Sequence, residues 1–129
     1  MNKKIIAVTI GDINGIGIEI LIKLWKSKKI NNFILVTNNK LFNKYLIKKK
    51  IKLPIKIFNK YKRDDFIKIN TKNFSIFDIK AKNNYDNTYN SLLESYKLNN
   101  KKLCQGIITL PLNKSIISRK VNNNFLDQT

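Results

Sequence analysis

Short apolar runs alternate along this chain with longer segments of helical periodicity, and this alternation restricts the fold more than any other feature. The runs lie at residues 4–10, 33–36, 55–58, 74–77 and 106–109, and most of them are rich in β-branched residues. The runs at 4–10 and 33–36 in particular are typical of strands buried on both faces of a parallel sheet. Strands that alternate with helices predict an open, mostly parallel α/β sheet with flanking helices and right-handed crossovers.

The segments between the runs predict the flanking helices. Residues 18–27 carry apolar side chains at i, i+3, i+4 and i+7, namely Ile18, Leu21, Ile22 and Trp25. Asn38 or Asn39 is placed to cap a second helix that runs to the lysines at 48–50. A third helix, from about Asp86, is expected to turn an equivalent stripe toward the sheet, namely Tyr89, Leu92, Leu93 and Tyr96.

The remaining segments complete an outline of one domain. Residues 55–58 alternate like a strand at the sheet edge, and a short helix is predicted over residues 114–119. Residues 59–84 are undecided apart from the run at 74–77. A chain of 129 residues is long enough for one compact domain with a core.

The charge balance raises the question of a polyanionic partner. The chain has 26 Lys plus Arg against 8 Asp plus Glu, a formal net charge of +18, and such a field attracts nucleic acids. However, the lysines are scattered among Asn and Ile residues, which AT-rich codons favour. Arginine, the better reader of bases, occurs only as Arg63 and Arg119. Specific nucleic-acid binding is therefore an alternative but not the favoured interpretation.

Three compositional features bound the chemistry and the compartment. The chain has no histidine, so it lacks the commonest metal ligand and the commonest general base near neutral pH. The single cysteine, Cys104, cannot form an internal disulfide and fits a reducing compartment. No stretch approaches the roughly 20 apolar residues that span a membrane, and no secretory signal is recognisable. These features predict a cytoplasmic protein without membrane contact.

The first strand ends in a glycine-rich loop over residues 9–19. Gly11, Gly15 and Gly17 permit positive φ or a close backbone approach, and the following helix offers free N–H groups to a phosphate or carboxylate. The loop is neither a dinucleotide fingerprint, because Ile20 stands where glycine or alanine is needed, nor a P-loop. Asp12 would repel a phosphate but could bind a hydroxyl or an amine. Alternatively, the glycines only form a tight strand-to-helix turn.

A second loop follows the strand at 106–109. Pro111 shapes its turn, and Lys114 then opens a helix, where it could reach an anionic group. In a chain so rich in lysine, the alternative is an ordinary surface residue. Because ligands of open α/β folds bind beyond the carboxyl ends of the strands, both loops are expected to face one anionic metabolite.

Together the two loops resemble those of the 4-hydroxythreonine-4-phosphate dehydrogenase family. Residues 9–19 match the family pattern T-P-G-D-P-A-G-I-G-P-E at every glycine, at Asp12, at Ile16 and at Glu19. Residues 106–114 are similar to G-I-V-T-A-P-I-N-K, and Phe125 begins a segment like F-x-G-H-T-E. Isoleucines replace the three prolines of the first pattern. The resemblance covers the whole chain in order.

The resemblance implies a fold, a reaction and a set of partners. The family has two α/β domains like those of isocitrate and isopropylmalate dehydrogenases, so residues 1–129 would be the amino-terminal part of the first domain. The second domain, which carries dimerisation and metal binding, would be absent. The family uses NAD or NADP and a divalent metal (Zn, Mg or Co) to oxidise and decarboxylate 4-phosphooxy-L-threonine, in pyridoxal phosphate biosynthesis. Its members are homodimers that act on a small phosphorylated amino acid.

The resemblance also assigns site residues. Gln128 and Thr129 occupy the histidine and threonine positions of the substrate-binding segment, and Asp12 and Lys114 are further candidates for substrate binding. Glutamine cannot carry a proton at neutral pH, so a related phosphorylated hydroxy acid is an alternative substrate. The metal ligands and the complete catalytic set would lie past residue 129. The chain alone is therefore expected to be inactive and marginally stable. A phosphate-binding module without catalysis is the remaining alternative.

Overall fold

The computed structural model describes residues 4–111 and contains five strands and four helices in strict alternation. The elements in order are β1 (Ile6–Thr9), α1 (Ile16–Lys26), β2 (Phe33–Thr37), α2 (Asn39–Lys49), β3 (Ile55–Phe58), α3 (Arg63–Ile67), β4 (Phe74–Asp78), α4 (Asn84–Asn100) and β5 (Ile107–Thr109). All five predicted strands are confirmed. The helix predicted over residues 114–119 lies outside the described residues.

The strands form one sheet in the order β3-β4-β2-β1-β5, and every pair is parallel. β1 lies between β2 and β5, with Val8 opposite Leu35 on one side and Ile108 on the other. The strand at 55–58 lies at an edge, as its alternating pattern predicted. The predicted parallel α/β architecture is therefore confirmed.

Helices cover both faces of the sheet. Because strand side chains alternate, Val8, Leu35 and Ile76 pack with α1 and α2, whereas Ala7, Val36 and Phe77 pack with α3 and α4. The two resulting cores explain why the strands read as continuous apolar runs. On the α1 and α2 face, the ring of Phe74 is the centre of an aromatic cluster with Trp25, Phe33 and Phe42, at centroid distances of 5.6, 5.4 and 5.8 Å.

Helix capping follows the sequence signals. The Asn38 side chain accepts a hydrogen bond from the backbone N–H of Leu41 at 3.0 Å, which makes it the cap of α2. Asn83 caps α4 in the same way by accepting from the N–H of Asp86 at 2.9 Å. The undecided segment contains the short helix α3, which buries Phe66 against Phe77 and Phe58. None of the helices described is long and apolar enough to cross a membrane.

The prediction for the buried face of α4 is wrong. Leu93 and Tyr96 are 51% and 53% exposed, Leu92 is half-buried, and of the predicted stripe only Tyr89 is buried. The helix instead buries a mainly polar face, namely Asn87, Thr88, Ser91, Ser95 and Leu98. For Asn87, Thr88 and Ser91 the physical reason is that α4 packs against β1 and β2 where their backbones leave the sheet, and the freed N–H and C=O groups need polar partners. This reason does not extend to Ser95, whose hydroxyl has no hydrogen-bond partner among the described residues.

One apolar surface has no cover within residues 4–111. Ile16, Ile20 and Leu24 recur at four-residue spacing along α1 and are all exposed. Ile108 of β5 is also exposed. It lies on the same side of the sheet, because it pairs with Val8, whose side chain faces the α1 core. This surface borders β5, which forms the second edge of the described sheet.

Candidate functional site at the carboxyl ends of β1 and β5

The turn after β1 and the turn after β5 lie in direct contact. The two strands pair in parallel, so both turns emerge at the same edge of the sheet. The backbone N–H of Asp12 donates to the carbonyl oxygen of Pro111 at 3.0 Å, and the N–H of Leu110 donates to the hydroxyl of Thr9 at 3.3 Å. The expected proximity of the two motif-bearing loops is therefore confirmed as far as Pro111, whereas their binding of one anionic metabolite stays a prediction.

Two of the three loop glycines are required by this contact. Gly11 has a φ of +61°, and a Cβ atom there would lie 2.5 Å from the carbonyl oxygen of Pro111. A Cβ atom on Gly17 would lie 2.7 Å from the ring carbon Cδ of Pro111. Gly15 has an extended backbone, and a Cβ atom there would meet only Asp12, at 3.3 Å or more. Gly11 and Gly17 therefore serve the contact with the second turn, whereas Gly15 does not.

Asp12 organises the backbone between β1 and α1. Its carboxylate oxygen Oδ1 accepts from the N–H of Asn14 at 3.0 Å, and its carbonyl accepts from the N–H of Gly15 at 2.9 Å. Gly15 is the N-cap of α1 and offers no side-chain hydrogen bond. The first N–H groups of α1 therefore have no side-chain cap and carry the partial positive charge that attracts a phosphate or carboxylate.

The polar face of α4 fixes the first turn from the other side. The hydroxyl of Thr88 donates to the carbonyl oxygen of Gly11 at 2.7 Å. Ser91 accepts from the N–H of Ile10 at 2.9 Å and donates to the carbonyl oxygen of Val36. These contacts are buried, so each satisfies a backbone group that water does not reach.

The same helix fixes the turn after β2. The Asn87 side chain accepts from the N–H of Asn38 at 2.8 Å and donates to the hydroxyl of Thr37 at 2.9 Å. The turn after β4 is joined to this arrangement, because Asn38 donates to the carbonyl oxygen of Ile79 at 2.7 Å. The buried face of α4 thus carries four small polar residues at positions where a helix that packs against a sheet normally has apolar residues. These polar residues at helical spacing are visible in the sequence, but a search for apolar residues at that spacing does not detect them.

The described residues do not supply a metal site or an activated thiol. Within residues 4–111, no group of three His, Cys, Asp or Glu side chains could hold a metal ion. Burial raises the pKa of the Cys104 thiol to about 12, so the thiol is neutral at physiological pH and unsuited to nucleophilic chemistry. The predicted site residues Lys114, Gln128 and Thr129 lie outside the described residues, so their roles stay predictions.

Comparison with known proteins rests on the fold. Neither a protein-family model nor a curated protein matches this chain. Its structure is similar to that of a protein from Salmonella typhimurium assigned as a 4-hydroxythreonine-4-phosphate dehydrogenase, with a TM-score of 0.76 and 18% sequence identity over 95% of this chain. The chain shares the fold of this structure. A 4-hydroxythreonine-4-phosphate dehydrogenase from Burkholderia phymatum is also similar, with a TM-score of 0.66 and 16% identity over 93% of this chain.

The likeness covers only part of each solved structure. This chain spans 42% of the Salmonella typhimurium chain and 40% of the Burkholderia phymatum chain. At 16 to 18% identity the likeness establishes the fold, and this fold is the one that the two loops implied.

Proposed function

We propose that this chain forms the amino-terminal part of an NAD(P)-dependent dehydrogenase that oxidises 4-phosphooxy-L-threonine. The product would lose carbon dioxide to give 3-amino-2-oxopropyl phosphate, a step of pyridoxal phosphate biosynthesis. The observation that carries the proposal is the contact between the two motif-bearing turns, with the N–H of Asp12 bonded to the carbonyl of Pro111. The resemblance of both turns to one family and the fold shared with two proteins of that name support it.

In this proposal the described residues bind and orient the substrate. The uncapped N–H groups at the start of α1 are suited to its phosphate or carboxylate, and the Asp12 carboxylate to its hydroxyl or amine. Lys114, Gln128 and Thr129 would complete the substrate contacts. The nicotinamide would supply hydride acceptance and the divalent metal Lewis acidity. Residues 4–111 offer no set of ligands for the metal, whose ligands would come from the second domain.

The proposal includes the setting of the longer protein. Its catalytic unit would be a cytoplasmic homodimer, in which the second domain supplies the metal ligands and the dimer contact. Glutamine forms hydrogen bonds but does not titrate. Because Gln128 replaces the histidine, a related phosphorylated hydroxy acid is an alternative substrate in this proposal.

A chimeric enzyme tests this function. Residues 4–129 would replace the corresponding segment of the Salmonella typhimurium protein, and NADH formation from 4-phosphooxy-L-threonine would be measured against the unmodified protein. We expect turnover by the chimera and a loss of at least about tenfold in Asp12→Asn, which keeps the turn hydrogen bond but removes the charge. The matched variant Asp64→Asn on the exposed side of α3 should keep full activity. A folded chimera without turnover would contradict the proposal.

A further inference from the structure

We propose a second ligand site on this chain, a basic groove between α2 and residues 80–84 that binds a small molecule with a chain of two or three phosphate groups. The groove consists of two adjoining cavities of about 420 and 460 Å³. Both cavities are lined by Leu41 and Lys44 of α2 and by Lys82 opposite. Cavities of this size suit small-molecule ligands. The groove borders the glycine-rich loop through Asn14, but none of its lysines has a role in the dehydrogenase proposal.

One wall of the groove is a row of lysines on α2. Lys40, Lys44 and Lys48 recur every four residues, so they share one face of the helix, and each lies about 6 Å along the axis from the next. All three are exposed and line one or both cavities. Like charges at this spacing destabilise a helix. Within the described part of the chain, the salt bridge made by α2 joins Lys49 to Glu19, outside the row.

The opposite wall adds further cations. Lys80 and Lys82 line the groove from the segment that follows β4. The five lysines come from two segments that are far apart in sequence, so the fold and not a local run brings them together. The row on α2 spans about 12 Å, which exceeds the reach of one phosphate and fits a short chain of phosphates.

Uncharged hydrogen-bond donors also line the cavity of about 420 Å³, which we call the inner cavity. Asn14, Asn83 and Asn84 line it together with Tyr45. The Tyr45 hydroxyl is buried and has no hydrogen-bond partner among the described residues, which is costly unless a ligand or water satisfies it. Ammonium groups combined with amide and hydroxyl donors are the groups that phosphate oxygens accept from.

The nearby carboxylates do not cancel this charge. Asp78 lines the other cavity, of about 460 Å³, and its Oδ1 accepts a hydrogen bond from the backbone N–H of Asn39 at 2.9 Å. Asp86, in the first turn of α4, accepts from the backbone N–H of Lys82 at 3.3 Å. Glu19 is a third nearby carboxylate: burial and then the charge of Glu19 raise the pKa of Tyr45, and Glu19 forms an ion pair with Lys49 at 3.6 Å. The five groove lysines and Lys49 outnumber these three carboxylates, so the groove keeps a net positive charge.

Titration calorimetry with inorganic tripolyphosphate at fixed ionic strength tests the groove on the full 129-residue chain. The variant K44Q/K82Q removes one lysine from each wall. The control K26Q/K72Q removes two exposed lysines at the other end of the sheet, so the two variants have the same net charge. We expect the groove variant to bind at least about tenfold more weakly than the unmodified chain, and the control to stay within about twofold. Circular dichroism would check that both variants are folded.

Three results would overturn the proposal. Equal weakening by both variants would show that bulk charge attracts the ligand, and orthophosphate binding as tightly as tripolyphosphate would exclude a polyphosphate site. Tighter binding of a DNA duplex that tripolyphosphate fails to displace would make this face a nucleic-acid surface. Failure of the dehydrogenase chimera would leave the outcome of this titration unaffected, so the two proposals are tested separately.

Discussion

The hydroxyl of Thr88 donates a hydrogen bond of 2.7 Å to the carbonyl oxygen of Gly11, 77 residues earlier in the chain. The bond joins the buried face of α4 to the glycine-rich turn whose other side contacts Pro111. The turn is therefore held between a helix and a second turn before any ligand arrives. Such preorganisation reduces the ordering that a ligand must induce.

Replacing Thr88 tests this bond. Thr88→Val keeps the shape but leaves the Gly11 carbonyl without a donor, and we expect it to lower the free energy of unfolding by about 1–3 kcal/mol. Thr88→Ser keeps the hydroxyl and should recover most of the loss, apart from one methyl group. Urea denaturation followed by circular dichroism measures both. Equal stability of the valine variant and the original chain would show that the bond contributes nothing.

Alanine substitutions at the three loop glycines should differ in how much they lower the free energy of unfolding. Gly11→Ala combines a positive φ with a clash against the Pro111 carbonyl, so we expect a loss of at least about 1–3 kcal/mol. Gly17→Ala should also destabilise, because its Cβ atom would overlap the Pro111 ring. Gly15→Ala should cost less, about 0.5–1 kcal/mol, because the backbone is extended, although the added Cβ atom would lie 3.3 Å from the Asp12 carbonyl oxygen and alanine is a poorer N-cap than glycine. Thermal denaturation of the three variants checks this order, and a severe Gly15 effect would contradict it.

Two isoleucines of α1 allow the same substitution to be compared at a buried and at an exposed position. Ile18 is fully buried in the core with Val8 and Leu35, and Ile18→Ala should cost about 2–5 kcal/mol. Ile20, two residues later, is 46% exposed, and Ile20→Ala should change stability by no more than about 0.5 kcal/mol. Both changes remove the same atoms from the same helix. Comparable losses in urea denaturation would mean that Ile20 is covered in solution.

The stability of the folded chain should depend on pH through the protonation of the Cys104 thiol. Burial raises its pKa from 9.0 to about 12, so the folded state favours the neutral thiol. The contribution to stability is fully present below pH 9 and is lost as the pH rises from about 9 to about 12. Cys104→Ala should therefore show a shallower fall of stability in this window than the original chain. Absence of a difference in pH-dependent denaturation would contradict the shift.

The isolated chain should not turn over substrate. The described residues hold no metal-ligand set, and the proposed metal site and dimer contact belong to the second domain. Incubation with NAD, Zn²⁺ or Mg²⁺ and 4-phosphooxy-L-threonine should give no NADH absorbance above a blank without protein. Turnover by the purified chain would refute this prediction, and the Salmonella typhimurium protein assayed in parallel serves as the positive control.

Local pattern was enough to predict much of this fold. Short apolar runs predicted all five strands, and the alternating pattern of residues 55–58 predicted that this strand lies at an edge. Helical spacing placed Ile18, Leu21 and Ile22 of α1 in the core. The cap of α2 was narrowed to Asn38 or Asn39, because capping involves only neighbouring residues, and the structure shows that it is Asn38. The parallel arrangement followed from the alternation of strands and helices, since a parallel connection needs a crossover.

Tertiary structure alone decided the orientation of α4, the contacts between the two motif-bearing turns and the composition of the basic groove. Apolar periodicity favoured Leu93 and Tyr96 as buried residues, yet Thr88 and Ser91 are buried because Gly11 and Ile10 present unpaired backbone groups there. This demand comes from residues about 80 positions away, so no window of sequence contains it. Likewise, the contact of Gly17 with Pro111 and the placement of Lys44 and Lys82 around one cavity exist only once the strands and helices pack together.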